Sequence, residues 1–199
     1  MNSKTILFIA LLLPISFCFN QQKLKFSADI AESYKENNVR IKVFKDNVKI
    51  IDEDKTLYTN LANYYQDSSK VILNGSVKMY DKTDSLICNK LILIKGNNER
   101  YEASGDVMFY KGDHIIQAQN LTYFITANRI VAYKNVVIKD KTRTIYGDNI
   151  LINYTNDLIS DITMDNNVRL FNQQSWTVVY CHSGNGMFGR FVYCFRIIS

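Results

Sequence analysis

Apolar and polar residues alternate along most of this chain, and the alternation recurs at a fixed spacing. A step of the form N/G-x-V returns about every 30 residues, and an apolar residue follows its valine two positions later. The valines are Val48, Val77, Val107, Val136 and Val168, and the residues that follow them are Ile50, Met79, Phe109, Ile138 and Leu170. Because successive side chains of a strand point to opposite faces, this period of two predicts half-buried strands.

A second phrase recurs with the same period and reads apolar, any, small, polar, any, apolar, any, apolar. Its copies are "LYTNLANY" from Leu57, "LICNKLIL" from Leu86, "IQAQNLTY" from Ile116 and "IYGDNILI" from Ile145, with a weaker copy, "FSADIAES", from Phe26. In a straight strand the first and last apolar pairs would face opposite sides. A bulge or bend near the polar Asn, Gln or Asp returns both pairs to one side, so we expect each strand to turn a corner there.

Polar turns separate the phrases, so each period predicts two or three short strands, and stacked periods bury their apolar faces against one another. The predicted fold class is all-β, an elongated antiparallel architecture built from repeats of about 30 residues. The pattern stops near Asn172. We therefore expect one repeat domain over residues 21–171 and a divergent tail over 172–199, which is either a terminal cap or the product of a shifted reading frame.

The N-terminus predicts export. Lys4 precedes the apolar run "ILFIALLLPISFCF", Ile6 to Phe19, which is 14 residues long and has the length of a signal-peptide core. A membrane span needs about 20 residues, so we interpret residues 1–20 as a signal peptide, with an uncleaved anchor as the alternative. Cys18 raises a lipoprotein alternative, which Phe17 fits poorly.

Charge and cysteines narrow the function classes. The net charge of +5 is spread along the chain, which argues against nucleic acid and would suit an anionic lipid or glycolipid. After signal removal Cys88, Cys181 and Cys194 would remain. Three thiols give no complete disulfide framework, although Cys181 with Cys194 stays open, and no C-x-x-C motif suggests a metal.

Catalytic motifs are missing, so we expect no enzyme, no cofactor and no metal site. His114 follows Asp113 in a turn that the other periods fill with unrelated polar pairs, and His182 lies beside Cys181 in the divergent tail. The glycosylation tripeptides at Asn74 and Asn120, like that at Asn153, are read as coincidence. Asn74-Gly75 and Ser104-Gly105 instead predict a bend before a strand.

The remaining functional candidate is the aligned apolar face. It comprises Val77, Met79, Leu91, Leu93, Val107, Phe109, Leu121, Tyr123, Val136, Ile138, Ile150 and Ile152. Periodicity alone fits two structures, a filled sandwich core or a groove that holds lipid.

The repeated phrases resemble a known family. "FSADIAESY", "LYTNLANYY", "NGSVKMYDKTDSLICNKLIL" and "ASGDVMFYKGDHIIQAQNLTYF" are similar to the OstA-like, or LptA-like, domain of lipopolysaccharide-transport proteins, over about residues 26–171. The resemblance implies a β-jellyroll that forms an open V-shaped trough, with no catalytic residues.

The resemblance also implies a function. Members are exported to the periplasm and carry lipopolysaccharide from the inner to the outer membrane of the Gram-negative envelope, with the lipid acyl chains in the trough. Implied partners are lipopolysaccharide, β-jellyroll proteins at both membranes and further copies in head-to-tail association. Two alternatives stay open: a membrane-anchored LptC-type partner of the same fold, and a structural scaffold that binds no lipid.

Overall fold

The computed structural model describes residues 24–156, 158–165, 167–172, 177–186 and 189–198. These residues form 14 strands and one short 3-10 helix, Gln66–Ser68. The strands are β1 (Lys25–Ser27), β2 (Ile30–Glu36), β3 (Val39–Asp52), β4 (Lys55–Tyr65), β5 (Lys70–Tyr80), β6 (Ser85–Ile94), β7 (Arg100–Lys111), β8 (His114–Phe124), β9 (Arg129–Lys139), β10 (Arg143–Thr155), β11 (Leu158–Asp165), β12 (Val168–Asn172), β13 (Thr177–Gly186) and β14 (Gly189–Ile198).

All strands belong to one antiparallel sheet. From β3 to β10 each strand pairs with the next strand along the chain, and β12, β13 and β14 continue the order after β10. β1 and β2 both pair with β3, and β11 and β12 both pair with β10. The two ends of this order do not pair with each other among the described strands, so the sheet stays open. The predicted all-β antiparallel jellyroll is confirmed.

Each strand from β3 to β10 is long and crosses a corner near its middle. At the corner two residues of an odd-numbered strand lie opposite one residue of the even-numbered strand that follows it, which is a β-bulge. For example, Gly75 and Ser76 of β5 lie opposite Asn89 of β6, between the pairs Asn74–Lys90 and Val77–Cys88. The predicted bend is therefore confirmed, but each period supplies two long bent strands where the sequence predicts two or three short ones.

The backbone at each corner is left-handed at both bulge residues. The pairs with positive φ are Asp46 and Asn47, Gly75 and Ser76, Gly105 and Asp106, and Lys134 and Asn135. Glycine takes up this conformation freely, and Asn and Asp adopt it more often than other residues do. This preference explains why Gly, Asn and Asp precede the valine of the repeated step.

The corner divides the sheet into two leaves. The first leaf holds the part of each odd-numbered strand before the corner, and the second leaf holds the part after it. In β7, Tyr101 and Ala103 are buried in the first leaf, and Val107 and Phe109 are buried in the second. Both sets belong to one hydrophobic cluster, so the leaves face each other across a shared interior.

The predicted tail contains two paired strands. Residues 177–186 and 189–198, within the predicted tail, form the hairpin β13–β14, in which Cys181 lies opposite Cys194 in the backbone register. The predicted signal peptide, residues 1–20, lies outside the described residues, and the domain boundary near residue 171 stays a prediction. Over the residues that the structure describes, no helix has the length and apolar character to cross a membrane.

Candidate functional site

The residues predicted to bind lipid are distributed evenly over the two leaves. The second leaf contributes Val77, Met79, Val107, Phe109, Val136 and Ile138, which follow the corner in β5, β7 and β9. The first leaf contributes Leu91, Leu93, Leu121, Tyr123, Ile150 and Ile152, which follow the corner in β6, β8 and β10. The structure therefore brings all of them to the same interior, from opposite sides.

This interior is filled by the side chains that line it. Eleven of the twelve predicted residues expose 2% or less of their surface, and only Tyr123 is half-buried. Dense packing of this kind is typical of protein cores. An acyl chain can therefore enter only if the leaves move apart or the lining side chains rearrange.

Aromatic rings connect the leaves directly. Phe26, which pairs with the second leaf, stacks on Phe44 of the first leaf at a centroid distance of 4.5 Å. Phe109 of the second leaf lies 5.7 Å from Tyr123 of the first leaf. These contacts are between aromatic rings and involve no hydrogen bond, so none between these rings would have to break if the leaves separated.

The corner forms the closed side of the interior. The polar residue of each phrase lies over the bulge of the neighbouring strand. A Cβ atom placed on Gly105 would come within 2.8 Å of the Asn89 amide nitrogen, and one on Gly75 would lie 3.4 Å from that of Asn60. Asn89 also donates a hydrogen bond to the Asp106 carboxylate at 3.2 Å. The small and polar positions of the sequence pattern thus form the packing of the corner.

The opposite side of the interior, where the strands end, is its mouth. There Lys95, at the edge of the first leaf, lies 2.7 Å from the carboxylate of Asp52, at the edge of the second leaf. Lys95 also lies 2.7 Å from Glu99. Asp52 is only 2% exposed. Burial opposes the charge on Lys95, but the hydrogen bonds and charges of Asp52 and Glu99 raise its pKa above the ordinary lysine value. An ion pair therefore connects the two leaves.

A second polar group closes the mouth further along. The Lys111 ammonium of the second leaf lies 3.1 Å from Asp84, and it stands over the rings of Tyr123 and Tyr154 of the first leaf at 5.5 and 5.2 Å. Lys111 is 5% exposed. A cation over aromatic faces is attracted by the ring quadrupoles, and more strongly when it is desolvated. This contact also connects the leaves.

Two tyrosine hydroxyls lie buried at the mouth without a hydrogen-bond partner. They belong to Tyr101 and Tyr154, which are 2% and 5% exposed. Burial raises the pKa of Tyr101, and the nearby carboxylates of Asp52 and Glu99 raise it further. Both phenols therefore stay protonated, and their hydroxyl groups can donate hydrogen bonds to a polar group that enters the mouth.

Sequence reasoning missed the polar mouth. Lys95 and Asp52 come from different periods and occupy positions that the repeat does not hold constant. The one signal in the sequence is that a lysine directly follows the apolar run "LILI" of β6, where the strand ends. A lysine at a strand end is common, so nothing in the pattern marks Lys95 as the partner of Asp52.

The structure also places the histidines and the glycines that the sequence singled out. His114 begins β8, is partly exposed and pairs in register with Lys111. Gly75 and Gly105 lie at the corners with φ of 82° and 77°, which confirms the bend predicted at both sites. His182 lies in β13, and its side chain is outside the part of the chain described. In the described residues no group of three or more His, Cys, Asp or Glu side chains is placed to hold a metal ion.

Comparison with known proteins identifies a family whose model matches this chain. The family model described as "LptA/(LptD N-terminal domain) LPS transport protein" matches residues 26–158, which span β1 to β10. A search of curated proteins returns no match. Among solved structures, the chain is similar to LptH from Pseudomonas aeruginosa, described as the LptA homologous periplasmic component of the conserved lipopolysaccharide transport device. The identity is 14%, the match covers 89% of this chain and 96% of LptH, and the TM-score is 0.32.

Proposed function

The chain belongs to the LptA/LptD N-terminal domain family of lipopolysaccharide transport proteins, and we propose that it holds lipopolysaccharide acyl chains between its two leaves. In this proposal the protein is exported to the periplasm and carries the lipid from the inner to the outer membrane, as one β-jellyroll of a bridge. Its partners are lipopolysaccharide and the β-jellyroll proteins at either membrane, and it carries out no chemical reaction.

The observation that supports the proposal is the continuous apolar interior. Buried aliphatic and aromatic residues from every strand between β3 and β10 face one another between the leaves. The corners fix one side of this interior, whereas the contacts described across the mouth are made by side chains. Burial of a methylene group stabilises a complex by about 0.8 kcal/mol and imposes no direction, so an acyl chain can be held and still slide along the interior.

A crosslinking experiment tests the proposal. A photo-crosslinkable residue placed at Phe109, Leu121 or Ile150 should capture lipopolysaccharide in cells, because all three side chains point into the interior. The same residue at Tyr58, which is 42% exposed, serves as the outward-facing control. Adducts at the interior positions and none at Tyr58 are the expected result. No adduct at any interior position of the folded protein would refute lipid binding there.

The filled interior favours a second candidate function. Since eleven of the twelve lining residues are almost completely buried, the structure also suits a scaffold that binds no lipid. The same crosslinking separates the two functions, because a scaffold gives no lipid adduct.

The membrane-anchored LptC-type partner is separated from the soluble carrier by the N-terminus of the exported protein. Mass spectrometry should find that the first 18 to 20 residues have been removed, whereas an intact N-terminus in the membrane fraction would indicate the anchored form.

A further inference from the structure

A polar groove lies beside the mouth, at the edge of the first leaf. Its volume is about 590 Å³. The polar and charged residues that line it include Arg40, Gln66, Asp67, Ser69, Lys95 and Glu99. A volume of this size accommodates a ligand of several hundred daltons, which is larger than a single ion requires.

Backbone hydrogen bonds hold the walls of the groove together. The Lys95 N–H donates to the Ser69 carbonyl at 3.2 Å, and this bond connects the β6–β7 turn to the β4–β5 turn. The Ser69 N–H donates to the Gln66 carbonyl at 3.4 Å and closes the turn that contains the 3-10 helix. The groove is thus formed by two turns that are bonded to each other.

The lining offers both hydrogen-bond donors and acceptors. Arg40 and Lys95 are cationic, Asp67 and Glu99 are anionic, and Gln66 and Ser69 are neutral and polar. A bare anion would be opposed by the two carboxylates. A ligand with both a phosphate and several hydroxyl groups matches the set better, because ammonium and guanidinium groups bind phosphate and carboxylates accept hydrogen bonds from hydroxyls.

Lys95 connects this groove to the interior. Lys95 is one of the residues that line the groove, and its ammonium contacts Asp52 on the opposite leaf at 2.7 Å. When the leaves separate to admit an acyl chain, Asp52 moves away with the second leaf and Lys95 loses that partner. Lys95 then keeps only Glu99, so an anionic group in the groove that takes the place of Asp52 would favour the open state.

We propose that the groove binds the phosphorylated sugar headgroup of the same acylated lipid whose chains enter the interior, and that Lys95 exchanges Asp52 for a headgroup phosphate. This inference rests on the proposed function, since it assigns the headgroup of that ligand to a site. Arg40 provides the second cation, and Glu99 lies 2.7 Å from Lys95 on the same leaf. Headgroup binding and opening of the mouth are then coupled through one side chain.

Lipid binding by groove variants tests the inference. The full chain without its first 20 residues is compared with Arg40→Gln, Gln66→Trp and Lys95→Gln, and Lys141→Gln is the control at an exposed lysine distant from the groove. Three probes are used: diphosphoryl lipid A, the same lipid without its phosphates, and N-phenylnaphthylamine, an apolar fluorophore without a headgroup. Thermal unfolding monitors the fold of each variant. Arg40→Gln and Gln66→Trp leave the Lys95–Asp52 contact intact, so they keep the test valid if Lys95→Gln is unstable.

The expected result is a loss of about tenfold in affinity for diphosphoryl lipid A in Arg40→Gln and Lys95→Gln, which is the size of one charged hydrogen bond. The affinity of Arg40→Gln for the phosphate-free lipid and for the fluorophore should not change. Gln66→Trp fills the groove and should weaken both lipids but not the fluorophore. Wild-type affinity for diphosphoryl lipid A in the groove variants would refute the headgroup site alone. Failure of the wild-type chain to bind any probe would refute the proposed function as well.

Discussion

The corner and the mouth of this sheet are built in different ways. Every corner between β3 and β10 uses the same local arrangement, in which two left-handed residues of one strand lie opposite a single Asn, Gln or Asp. The contacts that join the two leaves across the mouth differ from one end to the other. One end of it is closed by Asp52 with Lys95, and the other by Lys111 with Asp84 and two tyrosine rings.

Under the proposed function, the corner and the mouth have different roles. Backbone geometry and strand pairing fix the corner. The corner therefore holds the two leaves together in the same way in each pair of strands along the sheet. Side-chain contacts that can break singly hold the mouth. Under the proposed function, lipid enters between two leaves that stay joined at the corner and separate at the mouth.

Loss of the mouth ion pair should have the largest effect on stability. Lys95→Met leaves the buried Asp52 carboxylate, 2% exposed, without its cation. We expect a decrease of about 3 to 5 kcal/mol in the free energy of unfolding, because an uncompensated buried charge remains. Urea unfolding measures the change.

Two controls accompany this prediction. Lys141→Met removes a lysine paired with Asp113 in which the side chains are 79% and 70% exposed, and it should cost no more than about 1 kcal/mol. The double variant Asp52→Leu/Lys95→Met removes both charges and should regain most of the lost stability. Equal losses for Lys95→Met and Lys141→Met would show that the mouth pair does not stabilise the fold.

The two regions also differ in how far the sequence predicts them. The corner is predictable because its requirement is local: Gly75 or Asn47 permits the left-handed backbone, and Asn89 or Asn60 marks the opposing position in each copy. The apolar lining is predictable for the same reason, since Val107 and Phe109 follow the period of the strand. The Lys95–Asp52 contact is not predictable, because it depends on how two leaves approach each other through space. Filling of the interior is likewise a property of packing that periodicity does not encode.

A substitution at the corner should have the second-largest effect. Gly105→Ala places a Cβ atom 2.8 Å from the Asn89 amide nitrogen and 2.9 Å from its Cβ, at a φ of 77°. We expect a loss of about 2 to 3 kcal/mol, from the left-handed conformation together with the displacement of Asn89. Differential scanning calorimetry measures it as a fall in the melting temperature.

Gly112→Ala is the matched control for the corner. Gly112 also has a positive φ, of 56°, but no heavy atom lies within 4 Å of its Cβ position, so only the backbone cost remains, about 1 to 2 kcal/mol. Adding Asn89→Ala to Gly105→Ala should relieve part of the loss. If the two glycine variants lost equal stability and Asn89→Ala gave no relief, the close packing of Asn89 on the corner would not contribute.

Loss of one corner hydrogen bond should have a smaller effect. The buried hydroxyl of Thr59, 5% exposed, donates to the Asn74 carbonyl at 2.8 Å, directly before the Gly75 bulge. Thr59→Val keeps the shape and removes the donor, so we expect a loss of about 1 kcal/mol in urea unfolding. Thr59→Ser keeps the hydroxyl and should retain the bond. A valine variant as stable as the serine variant would show that this bond adds nothing to the corner.

The smallest effect should come from Asp140, which lies in the β9–β10 turn at the mouth side of the second leaf. Its hydrogen bonds are made to residues of the same turn, so they are local, as the contacts of the corner are. Burial opposes ionisation of Asp140, but hydrogen bonds from the Thr142 and Arg143 backbone N–H groups, both at 2.8 Å, and from the Arg143 side chain lower its pKa from 3.8 to about 2. A carboxylate with a lowered pKa contributes stability above its unfolded value, and that contribution disappears as the pH falls towards its folded value. Asp140→Ala should therefore cost about 1 kcal/mol at pH 6, since solvent screens part of the interaction. The difference between wild type and variant in urea unfolding should shrink as the pH falls from about 4 to about 2. A difference that stayed constant over this range would mean that the contribution of Asp140 does not depend on the ionisation of its carboxyl group.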